Sequence, residues 1–278
     1  MNEHISQRVI VITGAAGGFG RLVAERAAAR GARMICGDID DAGLAETAAL
    51  ITAAGGDVAT LRTDVSSLAD MQALVALALA RHGRIDVMIN NAGTMPLAFL
   101  ADHAEAMDAW NRCIDINFRG VLNGMVAAHD AMVSAGRGHV INISSIYGNF
   151  PVAGAAVYGA TKAAVDFLSE SLRVESRGRI KVTIVKPTGV PATGLSGGIV
   201  NPAAVVGILG HNAMTDLPRF EAMATGQLPA AEMDPDSVEY FALAPQYIAD
   251  EVLHAIDQPW GVSIGSVTVR ASGDGYVL

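Results

Sequence analysis

RVIVITGAAGGFG, Arg8 to Gly20, is the stretch that decides the architecture of this chain. Its first half, RVIVIT, is apolar without alternation, as in a strand covered on both faces of a parallel sheet. The second half turns abruptly to glycine and alanine and opens a helical pattern over residues 18 to 30. Glycines at 14, 18 and 20 permit backbone conformations that a Cβ would block and leave room for a pyrophosphate over the helix N-terminus. The spacing is G-x-x-x-G-x-G rather than the more familiar G-x-G-x-x-G, but its place after a strand and before a helix is the context that gives such a turn meaning.

Working outward, apolar runs and amphipathic segments alternate. ARMICGD, a helix near 41 to 54, DVATLRTD, a helix over 67 to 82 and RIDVMINNAG follow in order. A long helix near 104 to 135, HVINISS, a helix carrying Tyr158, and RIKVTIVKP come next. Residues Val190 to Ala244 break the rhythm with glycine, proline and methionine, and read as a lid over a binding site. APQYIADEVLHAID then reads as a helix and SVTVRA as a last strand. The expectation is an α/β fold: one Rossmann-type domain over 1–278, a doubly wound parallel sheet of about seven strands with helices on both faces, and 190–244 as substrate lid.

Hydrophobic residues make up 51% of the 278, ample for a sizeable core, while aromatics are only 5%. A formal charge of -9 argues against a general nucleic-acid binder, yet leaves room for a phosphate-bearing cofactor held by helix N–H groups. MNEHISQRVIVITG lacks the form of a secretory signal, and no segment approaches the ~20 apolar residues of a membrane span, so a soluble cytoplasmic protein is expected. Cys36 and Cys113 read as buried thiols, and no metal-ligand spacing is visible among the seven histidines.

Two local constellations point to chemistry. Asp38 ends the second strand eighteen residues past Gly20, where a carboxylate would accept from ribose hydroxyls and repel a 2′-phosphate. Ala16, Gly17 and Ile39 offer that phosphate no cation, so NAD is expected over NADP, whereas Asp40 and Asp41 fit the cap of the next helix. Tyr158 and Lys162, four residues apart, share one helix face, so an ammonium would lower the phenol pKa into a range useful for acid–base work. Ser145, at the end of the preceding strand, can bond the same substrate oxygen.

The glycine turn with its leading threonine resembles the first motif of the classical short-chain dehydrogenase/reductase family, and further matches follow in that family's order over residues 8 to 190. Asp64-Val65 resembles the adenine-contacting pair, and Asn90-Asn91-Ala92-Gly93 the NNAG motif. Asn117 matches the asparagine of the proton relay, and Ser145, thirteen residues before Tyr158, matches the catalytic serine better than Ser144. The resemblance implies catalysis by Asn117, Ser145, Tyr158 and Lys162 without a metal. It implies cofactor contacts at Gly14, Gly18, Phe19, Gly20, Asp38, Ile39, Asp64, Val65, Asn91, Ala92, Gly93, Tyr158, Lys162, Pro187 and Val190. Tyrosinate would take the hydroxyl proton as hydride leaves carbon, Lys162 would hold the ribose and tune the tyrosine, and Asn117 would position water. Singly, each residue also has an ordinary use: Asn117 to cap or kink a helix, the serines to end a strand. The pattern departs at Pro187-Thr188-Gly189-Val190-Pro191-Ala192-Thr193, where Thr188 replaces the usual glycine and the threonine is displaced by one.

For the substrate, the expected pocket wall is Met95, Ser145, Ile146, Tyr147, Asn149, Val152, Tyr158 and the lid, an apolar set suited to a neutral secondary alcohol or ketone. His211 and Arg219 keep an anionic substrate open, and Met214, Phe220 and Met223 are candidates for either the pocket or the core. SVTVRASGDGYVL is expected to return to the sheet edge and reach a neighbouring subunit in a dimer or tetramer, as the resemblance implies. Beside an NAD-dependent secondary alcohol dehydrogenase stand an NADP-dependent carbonyl or 3-oxoacyl reductase and, from a different class, a non-catalytic NAD-binding sensor or scaffold.

Overall fold

In the computed structural model, which describes residues 4–191 and 194–276, β1 (Val9–Thr13) is buried at every position. Its side chains serve two cores, since successive Cβ atoms point to opposite faces. α1 (Gly18–Ala29), β2 (Arg33–Asp38), α2 (Asp41–Ala53), β3 (Asp57–Arg62), α3 (Leu68–His82) and β4 (Val87–Asn90) follow. Asp40 caps α2 by accepting from the Ala42 and Gly43 N–H groups, both at 3.1 Å, as its position in the sequence predicts.

The expected helix from 104 to 135 is interrupted. α4 (His103–Cys113) and α5 (Gly120–Ser134) are joined by a π-helical stretch, Ile114–Arg119, without leaving the helical path. Beyond them come β5 (Gly138–Ile143), α6 (Ala156–Glu175) and β6 (Ile180–Pro187). The irregular segment is more helical than its glycine and proline content suggests. It holds α7 (Ala203–Leu209), α8 (Ala213–Ala224, with Pro218 inside) and the single turn α9 (Ala230–Met233), before α10 (Pro245–Ile256) and β7 (Ser266–Val269).

The seven strands form one sheet in the order β3-β2-β1-β4-β5-β6-β7, every neighbouring pair parallel. The chain winds outward in both directions from β1 and β4, so a crevice opens at their carboxyl ends. On one face Ile10 and Ile12 meet Val23, Ala24 and Ala27 of α1 and Ile248, Val252 and Leu253 of α10. On the other, Val9 and Val11 meet Met71 and Leu74 of α3 and Val121 and Met125 of α5. Each fully buried aliphatic side chain contributes about 1.5–3 kcal/mol, which keeps the sheet ends rigid beneath the crevice. A smaller cluster, Leu97, Cys113, Ala155, Tyr158 and Ala204, ties α7 to the start of α6. Among the described residues no helix is long and apolar enough to cross a membrane.

Candidate active site

A cleft of about 510 Å³ follows the carboxyl ends of the strands, from Gly14 and Asp38 past Asn91 to Ser145, Tyr158, Lys162 and Val190. At its first end Gly14 is left-handed (φ +69°), and a Cβ there would stand 2.7 Å from the Asn91 amide nitrogen. A Cβ on Gly20 would approach the Gly14 carbonyl oxygen to 2.0 Å, so Gly20 is required where α1 packs against the turn rather than at the cleft wall. Side chains cap α2 and α3, but α1 begins at Gly17 with no side-chain cap. Its first N–H groups are therefore available to an anion, and the uncapped start with its Cβ-free cradle fits a pyrophosphate.

Asp38 is held beside that turn by accepting from the Ala16 N–H at 2.9 Å and the Asp40 N–H at 3.1 Å. Arg21, which no motif singled out, braces the turn from below, donating to Thr47 (3.0 Å), Glu46 (2.7 Å) and the Ala16 carbonyl. Its ion pair leaves it committed to the fold. Thr13 Oγ1 accepts from the Asn91 and Ala92 N–H groups at 3.1 and 3.2 Å, and the Asn91 side chain donates to the Thr13 carbonyl at 2.9 Å. The glycine turn and the NNAG loop are thus one hydrogen-bonded unit.

At the other end Tyr158 and Lys162 lie on one face of α6, with the ammonium 5.7 Å from the phenol ring centroid. Lys162 donates to the Ile143 carbonyl at 2.8 Å. Ser145 lies close enough to the Tyr158 phenol to favour its ionised form and accepts from the Tyr147 N–H at 3.2 Å, while Ser144 donates to the Lys162 carbonyl at 3.3 Å. The expected lowering of the tyrosine pKa is corrected here. Burial pushes the Tyr158 phenol up to about 12 despite Ser145, and burial brings the Lys162 ammonium down to about 8. Burial disfavours the charged form of each group and is the largest cause of both shifts.

Asn117, fully buried within the π-helical stretch, lies behind the cleft. Its amide accepts from the Thr94 N–H at 2.9 Å and donates to the Thr94 carbonyl at 2.8 Å, so it clamps the loop that follows the NNAG motif. Both cysteines are free and buried, and Cys113 Sγ accepts from the Asn117 amide at 3.3 Å.

Most of the expected cofactor residues line the cleft: Gly14, Gly18, Phe19, Asp38, Asn91, Ala92, Gly93, Tyr158, Lys162, Pro187 and Val190. Ile39 is an exposed neighbour of Asp38. Asp64 accepts from the Ser66 N–H (2.9 Å) and hydroxyl (2.7 Å), and Val65 is buried against Gly120, so neither forms part of the cleft wall. Met95 and Tyr147 do line it. Three expected wall residues do not: Asn149 accepts from the Lys186 ammonium at 2.6 Å, Val152 packs beneath with Leu97, and Ile146 is buried. Arg219 is committed to Glu232 (2.6 Å) and the Gly273 carbonyl (3.1 Å) and lies over the Phe241 ring, which removes it as a substrate anchor. Phe220 stacks on Phe241, Met214 is 87% exposed, and neither these nor Met223 or His211 lines the cleft. The displaced threonine, Thr193, lies outside the described residues. Leu195 and Ile208, from the segment expected to cover the pocket, and the Thr188–Gly189 turn also line the cleft, whereas Thr94 and Tyr276 are wall residues that the sequence did not single out. Among the described residues no group of three or more His, Cys, Asp or Glu side chains gathers as a metal site.

Known proteins resemble this chain in sequence and in fold. The sequence pattern of the family described as short chain dehydrogenase matches residues 8–202. An uncharacterized oxidoreductase of Listeria monocytogenes is 34% identical over 265 residues, covering 95% of this chain and 96% of its own. A metagenomic short-chain oxidoreductase solved in complex with NADP superposes with a TM-score of 0.72 at 29% identity, over 96% of this chain and 98% of that one. A short-chain dehydrogenase/reductase from Burkholderia phymatum, solved in complex with NAD, superposes with a TM-score of 0.75 at 27% identity, over 96% of this chain and 90% of that one.

Proposed function

The chain belongs to the short-chain dehydrogenase family, and from that premise we propose that it is an NAD-dependent oxidoreductase interconverting a neutral secondary alcohol and its ketone. The observation that carries the reading is the joining, in one cleft, of a Cβ-free phosphate cradle beside Asp38 to a buried Ser145, Tyr158 and Lys162 set. Asp38 supports NAD: its carboxylate faces the cleft end where ribose hydroxyls would lie and would repel a 2′-phosphate.

The uncapped first turn of α1 would hold the pyrophosphate, Asp38 and Lys162 the two riboses, and the backbone near Val190 the carboxamide. Bound there, the nicotinamide would accept or give a hydride and, when oxidised, add positive charge beside the phenol. In ketone reduction the Tyr158 phenol, held protonated by its buried setting, donates to the carbonyl oxygen. In alcohol oxidation Tyr158 acts once ionised: the tyrosinate oxygen takes the hydroxyl proton and becomes the phenol again, and Ser145 donates to the substrate oxygen where charge develops. Lys162 favours the tyrosinate electrostatically and Asn117 fixes the loop beneath the reacting centre.

Tyr158→Phe tests the mechanism. Turnover should fall by a factor of about 10²–10⁴ while NADH binding, followed by fluorescence, persists. Undiminished oxidation of secondary alcohols by the variant would rule the mechanism out.

A further inference from the structure

The departure at Thr188 and the segment after β7 are two halves of one device. Thr188 Oγ1 donates to Asp274 at 3.0 Å, and the Thr188 N–H donates to the Val269 carbonyl at 3.1 Å. The Asp274 carboxylate is almost fully buried, pairs with Arg270 and accepts from the Tyr276 N–H at 3.2 Å. Arg270 also donates to the Tyr276 carbonyl at 3.0 Å, and Arg219 and Asn212 donate to the Gly273 and Gly275 carbonyls. So fastened, Tyr276 enters the cleft. Its ring meets Tyr147 edge-on, centroids 6.4 Å apart, and Tyr147 meets Tyr158 in the same way at 6.4 Å. The Tyr276 phenol lies over Gly189, where a Cβ would come within 2.1 Å of its oxygen. Gly189 is therefore required by the Tyr276 ring, and Thr188 beside it carries the hydroxyl that latches Asp274.

We propose that Arg270–Tyr276 is a built wall of the substrate site, that Thr188 and Asp274 position it, and that Tyr276 selects ring-bearing neutral secondary alcohols and ketones. The inference rests on the oxidoreductase reading above and deepens it. Beside the Tyr158 hydroxyl the wall is two tyrosine rings with Met95, Leu195 and Ile208, a surface suited to the face or edge of a planar ring. The charged side chains lining the cleft, Asp38 and Lys162, are both taken by the cofactor riboses in the reading above, and Asp274 behind the wall is committed to Arg270 and Thr188. A charged substrate would find no free partner in them.

The test compares sec-phenethyl alcohol with isopropanol, measuring kcat and KM with NAD for the wild type, Tyr276→Ala, Thr188→Gly, Thr188→Ser and Asp274→Asn, with NADH dissociation constants alongside. In Tyr276→Ala the ratio of kcat/KM for the ring substrate to that for isopropanol should fall roughly 3- to 10-fold. Thr188→Gly and Asp274→Asn should lower it in the same direction through KM, and Thr188→Ser should restore it. An unchanged ratio in Tyr276→Ala overturns the proposal. Tighter NADH binding in Tyr276→Ala overturns it too, since Tyr276 would then be occupying cofactor space. If the wild type oxidises neither alcohol, the oxidoreductase reading has failed, and the wall is judged by acetophenone binding instead: equal affinity in wild type and Tyr276→Ala refutes it.

Discussion

Lys162 is charged at the expense of stability. Burial holds it at about 8 against the ordinary 10.5, so the folded state releases its proton before the unfolded chain does. Below about pH 8 both states carry the proton and the full penalty applies; between about 8 and 10.5 the unfolded chain binds more, and stability rises with pH as the penalty is relieved. Lys162→Met should therefore be stabilised by about 2 kcal/mol at pH 7, after allowing for the lost bond to Ile143, with the gain vanishing at about pH 9.5 and reversing above it. Urea unfolding across that pH range checks it, and a destabilised variant at pH 7 would contradict it. Tyr158 and Lys162 were legible as a pair because helix geometry is local. The direction of the tyrosine shift was not, because desolvation depends on every element packed over the phenol.

At the scale of the element, the π-helical stretch Ile114–Arg119 places Asn117 against the Thr94 peptide. Asn117→Ala removes both halves of that clamp, and the loop from Gly93 to Met95 then loses its fixed place beside the reacting centre. Turnover should fall by about 10²-fold, with NADH binding reduced far less. Stopped-flow comparison of hydride transfer with cofactor binding reads the two separately, and an unaffected transfer step would refute the positioning role. The sequence announced one long helix here, since a π-turn keeps the apolar period nearly intact and leaves no glycine or proline as a marker. The segment from 190 to 244 was equally partial: its glycines and prolines suggested irregular chain, yet α8 forms with Pro218 inside it.

Across the whole molecule, the cleft joins the half of the sheet that ends in Asp38 to the half that bears Ser145, and a cofactor lying in it would bind both. Such a ligand stabilises the folded chain through linkage, by about 2.7 kcal/mol at one hundred times its dissociation constant. Thermal unfolding should therefore shift upward more with NADH than with equal NADPH, and Asp38→Ser should narrow the difference. A larger shift with NADPH in the native protein would contradict the cofactor assignment.

From its sequence alone the chain determined its parallel sheet, its glycine turn, the cap at Asp40 and the alignment of Tyr158 with Lys162. Each follows from backbone freedom, hydrophobic period or spacing within a few contiguous residues. Tertiary structure alone decided that Asn149 is taken by Lys186, that Arg219 is spent on Glu232, and that Tyr276 lies over Gly189 and beside Tyr147. The reason is contact between distant segments. Thr188 and Asp274 are separated by the whole segment from 190 to 244, α10 and β7, and nothing local to either residue records that the fold brings them within a hydrogen bond.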